Sequence, residues 1–126
     1  MAKDGQTFSQ IERVFRKCVY DCHVWGIPIS DKIKPQVERI SRKDCYAVTY
    51  KLDSGWFQVN VSDLIWKEYA VPNEALRQIL FHELCHTIDG AFNHGKTWKF
   101  WVKKLNAEHG CRINPYPYSK KNTDLF

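Results

Sequence analysis

The chain has no long run of apolar residues and no apolar segment at its start. A helix that crosses a bilayer needs about 20 consecutive, mostly apolar residues, and no stretch of the 126-residue chain approaches that length. Residues 1–5 include a lysine and an aspartate, and they lack the apolar core of a secretory signal. We therefore expect a protein that neither contacts a membrane nor is secreted, and we expect it in the cytoplasm.

A disulfide framework and Cys-x-x-Cys pairs are also missing. The five cysteines are scattered and odd in number, which favours reduced thiols. Cys18 and Cys22, with the adjacent His23, have the spacing of half a metal site, but no second half-site accompanies them. Both cysteines fall on the apolar face of a predicted helix, so we interpret them as core residues. Cys85 lies between His82 and His86 but one position off the helix face that they share, so we interpret it as core-facing.

Repeats, linkers and low-complexity segments are absent as well. A chain of 126 residues with 44% hydrophobic and 26% charged residues is typical of one globular domain. We expect a single domain over residues 1–126, with a core at about 7–110 and a turn-rich tail at 111–126. The net charge of +5 is compatible with binding to DNA, but many enzymes carry such a charge without binding any polyanion.

The first half of the chain predicts a helix followed by a small sheet. Thr7 and Gln10 form a capping box, and apolar residues then recur at helical spacing to about His23. Residues 33–40 are predicted as an edge strand, because a proline there suits only an edge. Residues 46–52 and 56–61 flank a short turn and predict an antiparallel hairpin.

The second half predicts two further helices. Residues 62–69 indicate a short helix or turn, and a longer helix begins near Pro72 and runs to Gly90. A last helix over 97–108 ends at a glycine cap. The order of the elements predicts an α+β fold with an N-terminal helix, a small antiparallel sheet, a central helix and a C-terminal helix.

The central helix contains the residues that predict the chemistry. His82 and His86 are four residues apart, so both imidazoles lie on one face of the helix and can bind one metal ion. Glu83 lies beside them and can reach a water molecule at the metal. Gly90 is predicted to end the helix, and His94 then supplies a third nitrogen. Three histidines favour zinc, Zn²⁺, and leave one coordination position open, as in catalytic sites.

A surface helix with two solvated histidines is the alternative interpretation of this pattern. It is disfavoured because the histidines continue a stripe of apolar residues, where unpaired polar groups would be costly. Glu83 is the predicted general base. For the residue that stabilises the oxyanion, Tyr116, Tyr118 and His109 remain candidates, although each could equally be a surface tyrosine or a helix-end histidine. Asp89 either orients a ligand imidazole or is a polar residue at the helix end.

The chain resembles the SprT-like zinc metallopeptidases. The resemblance rests on His82-Glu83-Leu84-Cys85-His86, on His94-Gly95-Lys96-Thr97-Trp98, and on the order of the predicted elements. It implies a zincin-like fold, zinc bound by His82, His86 and His94, and Glu83 as the catalytic base. The form would be a minimal, Spartan-like protease domain, because the cysteine-rich zinc ribbon found in many members is missing and the gap before His94 is short.

The resemblance implies a zinc endopeptidase that acts on protein substrates, including DNA-associated or crosslinked proteins. Recruitment to DNA would use a cluster of lysines on or near the last helix: Lys96, Lys99, Lys103 and Lys104. The alternative interpretation of these lysines is an ordinary solvated helix face. One alternative is a zinc-containing DNA- or protein-binding module with little turnover. Another is a hydrolase of small peptides or cell-wall amides. The presence of Glu83 favours an enzyme, because a structural zinc site has no need of that carboxylate.

Overall fold

The computed structural model describes residues 7–42, 44–65 and 72–115. Within them the chain forms three helices and three strands, which confirms the predicted α+β class. The elements are α1 (Phe8–Val24), β1 (Glu38–Ile40), β2 (Ala47–Lys51), β3 (Phe57–Ser62), α2 (Asn73–Cys85) and α3 (Lys96–His109). None of the described helices is both long and apolar enough to cross a membrane.

Helix α1 begins at the predicted capping box. The Gln10 backbone N–H donates to the Thr7 hydroxyl at 3.3 Å, and the Thr7 backbone N–H donates to the Gln10 side chain at 3.0 Å. Reciprocal bonds of this kind satisfy donors that the first helical turn leaves unpaired. The apolar face of α1 is buried and packs against α2, where Ile11, Phe15 and Cys22 are almost fully enclosed.

The sheet is mixed, so the prediction of a wholly antiparallel sheet was wrong in one strand. Strands β2 and β3 form the expected antiparallel hairpin, but β1 pairs with β3 in parallel, and the strand order is β1-β3-β2. A hairpin turn fixes the direction of its own two strands only, whereas β1 arrives from α1 by a longer connection. The predicted edge position of residues 33–40 is confirmed, since β1 and a bridge at Ile33 lie at the edge.

Helix α2 lies at the centre of the molecule, in contact with α1, β2 and α3. Because neighbours cover it on several sides, nine of its 13 residues are buried. It ends at Cys85, five residues before the predicted stop at Gly90. The backbone N–H groups of His86 and Thr87 donate to carbonyls only three residues back, which tightens the chain into a turn. The Thr87 hydroxyl also donates to the Leu84 carbonyl at 2.7 Å.

The four cysteines of the helical core are buried: Cys18, Cys22, Cys85 and Cys111. Burial raises the pKa of each thiol, to about 11 for Cys111, so all four are protonated near neutral pH. Within the described ranges, they form no group of three whose sulfur atoms could hold one metal ion. The interpretation of Cys18, Cys22 and Cys85 as core residues is confirmed.

Helix α3 and the start of the tail close the core. Trp98, Val102 and Leu105 are fully buried along one face of α3, and Gly110 caps the helix with φ 70°. The chain then folds back, because the Ile113 N–H donates to the Asn106 side chain at 2.9 Å. Of the short helix or turn predicted at 62–69, residues 63–65 are helical, and residues 66–69 lie outside the described residues.

Replacement of Gly110 by alanine should lower the free energy of unfolding by about 1 kcal/mol, because a side chain with a Cβ is strained at positive φ. No atom lies within 4 Å of the position that the new Cβ would occupy, so steric collision adds nothing. Gly110→Asn is the matched control, since asparagine tolerates this backbone conformation better. Urea denaturation measures both; equal losses for the two variants would contradict this explanation of the cap.

Candidate metal centre

Three imidazole nitrogens meet at one point beside the end of α2. His82 lies in the last turn of α2, His86 is its C-terminal cap residue, and His94 lies in the turn before α3. The Nε2 atom of His94 is 3.0 Å from the Nε2 atom of His82 and 3.0 Å from that of His86. The structure therefore brings together all three residues that the sequence nominated as metal ligands, in the only such group among the described residues.

This arrangement fits a single metal ion better than hydrogen bonds among the rings. A proton on one Nε2 atom can bridge only one pair of nitrogens at a time, and the remaining lone pairs would then face each other. Nitrogen ligands lie about 2.0–2.1 Å from zinc in a tetrahedral site, which places them about 3.3 Å apart. The observed separations of 3.0 Å are close to that spacing.

The protonation of the histidines also suits metal binding. Burial is the largest cause that lowers the pKa of His82 and of His86, and it lowers the pKa of His94 to about 4 with the help of nearby His86 and Lys99. All three rings are therefore neutral near pH 7, and neutral imidazole is the form that binds a metal.

The turn after α2 fixes the tautomer of His86. Its Nδ1 atom lies 3.0 Å from the Ala91 carbonyl oxygen. A carbonyl has no proton to give, so Nδ1 carries the hydrogen and Nε2 keeps its lone pair for a metal. Gly90, with φ 81°, allows the reversal that places this carbonyl. Asp89, which the sequence offered as an orienting residue, is exposed, and the Ala91 carbonyl orients His86 in its place.

Trp98 forms the floor of the site. Its ring stacks on His86 at 5.5 Å between centroids, and it meets the rings of His82 and His94 edge-on at 4.8 and 4.6 Å. Its indole N–H donates to the His82 carbonyl at 3.2 Å. Trp98 is fully buried, and its contact with all three histidines was not predicted from the sequence.

Glu83 is buried beside the three nitrogens and is held by a residue that the sequence analysis did not identify. The Thr49 hydroxyl, on β2, lies 2.7 Å from the carboxylate Oε1 and 3.0 Å from the Glu83 carbonyl. The other oxygen, Oε2, is 3.8 Å from His82 Nε2. Since His82 is neutral, that contact is not an ion pair. Burial raises the pKa of Glu83 to about 8, and the Thr49 hydrogen bond opposes the shift.

A cation held by the three histidines would lower that pKa again, because an opposite charge nearby favours the ionised carboxylate. Glu83 is then a carboxylate in an enclosed site, with one oxygen anchored and one directed toward the place where the three nitrogens meet. Such a group can take a proton from a water molecule bound there. The role of Glu83 as the general base stays a prediction.

One of the three proposed oxyanion-stabilising residues lies far from this site. His109 is at the opposite end of α3, about 20 Å along the helix axis from its start, and stacks on Trp25 at 4.2 Å. The other two candidates, Tyr116 and Tyr118, lie outside the described residues.

The purified chain should bind one zinc ion, and His94→Ala should weaken zinc affinity by more than about 100-fold. Loss of a residue that merely orients a ligand already costs about 10- to 100-fold, and this change removes a nitrogen from the centre itself. Competition with a chromophoric chelator measures the affinity. His109→Ala removes a histidine remote from the centre and should leave it unchanged; equal losses in the two variants would count against this site.

Comparison with known proteins agrees with the geometry. The chain matches the SprT-like family over residues 38–118, a range that includes the three histidines, Glu83 and Thr49. No curated protein and no solved structure matches it. The family is associated with zinc metallopeptidase-like proteins, and the cluster of three histidines is suited to hold a metal ion. Because the match spans more than half of its 126 residues, the chain belongs to the SprT-like family.

Proposed function

We propose that this chain is a zinc-dependent endopeptidase, in which His82, His86 and His94 hold the metal and Glu83 is the general base. The observation that supports this most strongly is the approach of three neutral imidazole nitrogens to one point beside a buried carboxylate. A purely structural site would gain nothing from an enclosed carboxylate that binds no metal, and its burial would cost stability.

Zinc in such a site would supply a Lewis acid that polarises the scissile carbonyl and makes water more acidic. Glu83 accepts the proton from the attacking water and later delivers it to the leaving amine, which would otherwise depart as an unstable anion. No side chain of this site needs to form a covalent bond with the substrate. The peptide bond is therefore hydrolysed directly by water.

Thr49 orients the carboxylate of Glu83, the proposed base. A hydroxyl has one proton, and that proton is shared between the Glu83 carboxylate and the Glu83 carbonyl. The bond to Oε1 limits rotation of the carboxylate and leaves Oε2 nearer the centre. Because Thr49 belongs to a strand of the sheet, the position of the base is set by the packing of α2 against β2.

Proteins associated with DNA are the proposed substrates. Helix α3 begins two residues after His94 and carries four lysines, of which Lys96 and Lys103 are exposed. Lys104 is paired with Glu108 at 2.8 Å, so it contributes less to a positive surface. A basic helix next to the site, in a chain of net charge +5, would attract the phosphate backbone in a salt-dependent way.

Glu83→Gln should reduce cleavage of an unfolded protein by about 100-fold or more, because general base catalysis contributes roughly 10²–10⁴ to the rate. Zinc content should be unchanged, since Glu83 is not among the ligands. Glu108→Gln, which removes an exposed carboxylate at the far end of α3, is the control and should cleave normally. Undiminished cleavage by Glu83→Gln would remove this residue from the mechanism.

Thr49→Val should lower kcat by about 10- to 100-fold with KM and zinc content little changed, because loss of a hydrogen bond to a charged group costs about 1.5–3 kcal/mol. Valine has nearly the shape of threonine, so packing is preserved. Thr49→Ser keeps the hydroxyl and should recover most of the activity. A serine variant as slow as the valine variant would show that Thr49 acts through packing instead.

A further inference from the structure

A groove of about 350 Å³ opens next to His86, which is one of its lining residues. The loop after α1, the end of the hairpin and the turn after α2 form its three sides, at residues 28–31, 51–57 and 86–92. Since His86 belongs both to the groove and to the three-histidine cluster, the groove adjoins the site proposed for cleavage. The groove is large enough for any natural side chain.

The lining of this groove includes two phenylalanines besides its aliphatic residues. The rings of Phe57 and Phe92 are 6.2 Å apart, and Phe92 is 6.5 Å from the ring of His86. Phe57 is almost fully buried, whereas Phe92 is 53% exposed. An exposed phenylalanine this close to the site offers a surface on which the apolar part of a substrate side chain can pack.

The charged groups of the groove are mainly acidic, in contrast with the rest of the molecule. Asp31 and Asp89 line it and are exposed, and neither has an ion-pair partner within the described residues. Lys51 is the single lysine of the lining. The groove therefore carries a formal charge of −1, from two carboxylates and one ammonium, in a chain whose net charge is +5.

Lys51 shows what kind of group suits this surface. Its ammonium lies 5.6 Å from the centroid of the Phe57 ring, within the range of a cation–π interaction. The aromatic wall thus already holds a cation supplied by the chain itself. A cationic side chain from a substrate would find the same ring, together with two carboxylates that have no described partner.

We propose that this groove binds a lysine or arginine side chain of the substrate next to the scissile bond, a specificity that rests on the proposed peptidase function. The aliphatic stem packs on Phe57 and Phe92, as long cationic side chains do on apolar surfaces. The charged head reaches Asp31 and Asp89. A neutral side chain of the same shape keeps the contacts with the two phenylalanines and loses the attraction to the two carboxylates.

Paired peptides that differ only by arginine or citrulline beside the cleaved bond test the specificity. Citrulline has the shape of arginine without its charge, so the ratio of kcat/KM isolates the carboxylates. The arginine peptide should be cleaved faster, and Asp31→Asn and Asp89→Asn should each reduce the ratio by about two- to fivefold, the range of exposed ion pairs. Glu38→Gln removes an exposed carboxylate on β1 and should leave the ratio unchanged.

Lys51→Gln should raise the ratio of kcat/KM for the arginine peptide to kcat/KM for the citrulline peptide, because it removes the cation that competes for the two phenylalanine rings. Cleavage of both peptides by the Glu38 variant should equal that by the wild-type protein. Equal rates for the two peptides in the wild-type protein, or faster cleavage of the citrulline peptide, would overturn the proposal while leaving the peptidase function intact.

A binding experiment separates failure of this inference from failure of the proposed function. Zinc-loaded Glu83→Gln protein is titrated with each peptide, and the NMR signals of the Phe57 and Phe92 rings are followed. Tighter binding of the arginine peptide, reduced by Asp31→Asn, supports the groove even if the chain cleaves nothing. Equal affinities, or ring signals that do not shift with the arginine peptide, would overturn it.

Discussion

The rest of the structure depends on one constraint: the Nε2 atom of His94 lies 3.0 Å from the Nε2 atoms of both His82 and His86. Nitrogen lone pairs that approach this closely repel each other unless a cation or proton lies between them. To hold them there, the chain needs a helix end that presents His82 and His86 and a turn that returns His94. The burial of α2 and the reversal at Gly90 satisfy these two requirements.

The cost of enclosing so many polar groups is offset by specific partners. Buried polar groups without hydrogen bonds are destabilising, and here the Ala91 carbonyl accepts from His86, while Thr49 donates to Glu83. Trp98 adds ring contacts with every histidine. Within the described ranges, His82 Nδ1 is buried and has no partner, so a metal on the Nε2 side would be the main compensation for burying that ring.

Local patterns predicted the features that depend on neighbouring residues. Each of four predicted features depends on residues that are only a few positions apart, and each is found in the structure. They are the capping box of α1, the hairpin, the glycine cap of α3 and the spacing of His82 and His86. The return of His94 could also be anticipated, because only seven residues separate it from His86. These parts of the fold and of the site follow from short-range physics.

Features that depend on distant contacts were not predicted. The parallel direction of β1 is set by how the chain leaves α1, and no turn residue specifies it. Helix α2 ends at Cys85 because the Ala91 carbonyl and the Thr87 hydroxyl favour a tight turn over another helical turn. Thr49 is 34 positions from Glu83, and a threonine in a strand carries no local sign that its hydroxyl holds a catalytic carboxylate.

X-ray absorption at the zinc edge of the metal-loaded protein would show directly whether the three histidines bind the metal. We expect one zinc per chain, with nitrogen and oxygen neighbours at about 2.0–2.1 Å and the imidazole scattering of three histidines. His94→Ala should reduce that scattering to two rings or abolish binding. Sulfur neighbours at about 2.3 Å would place the metal among the buried cysteines and would contradict the site described for His82, His86 and His94.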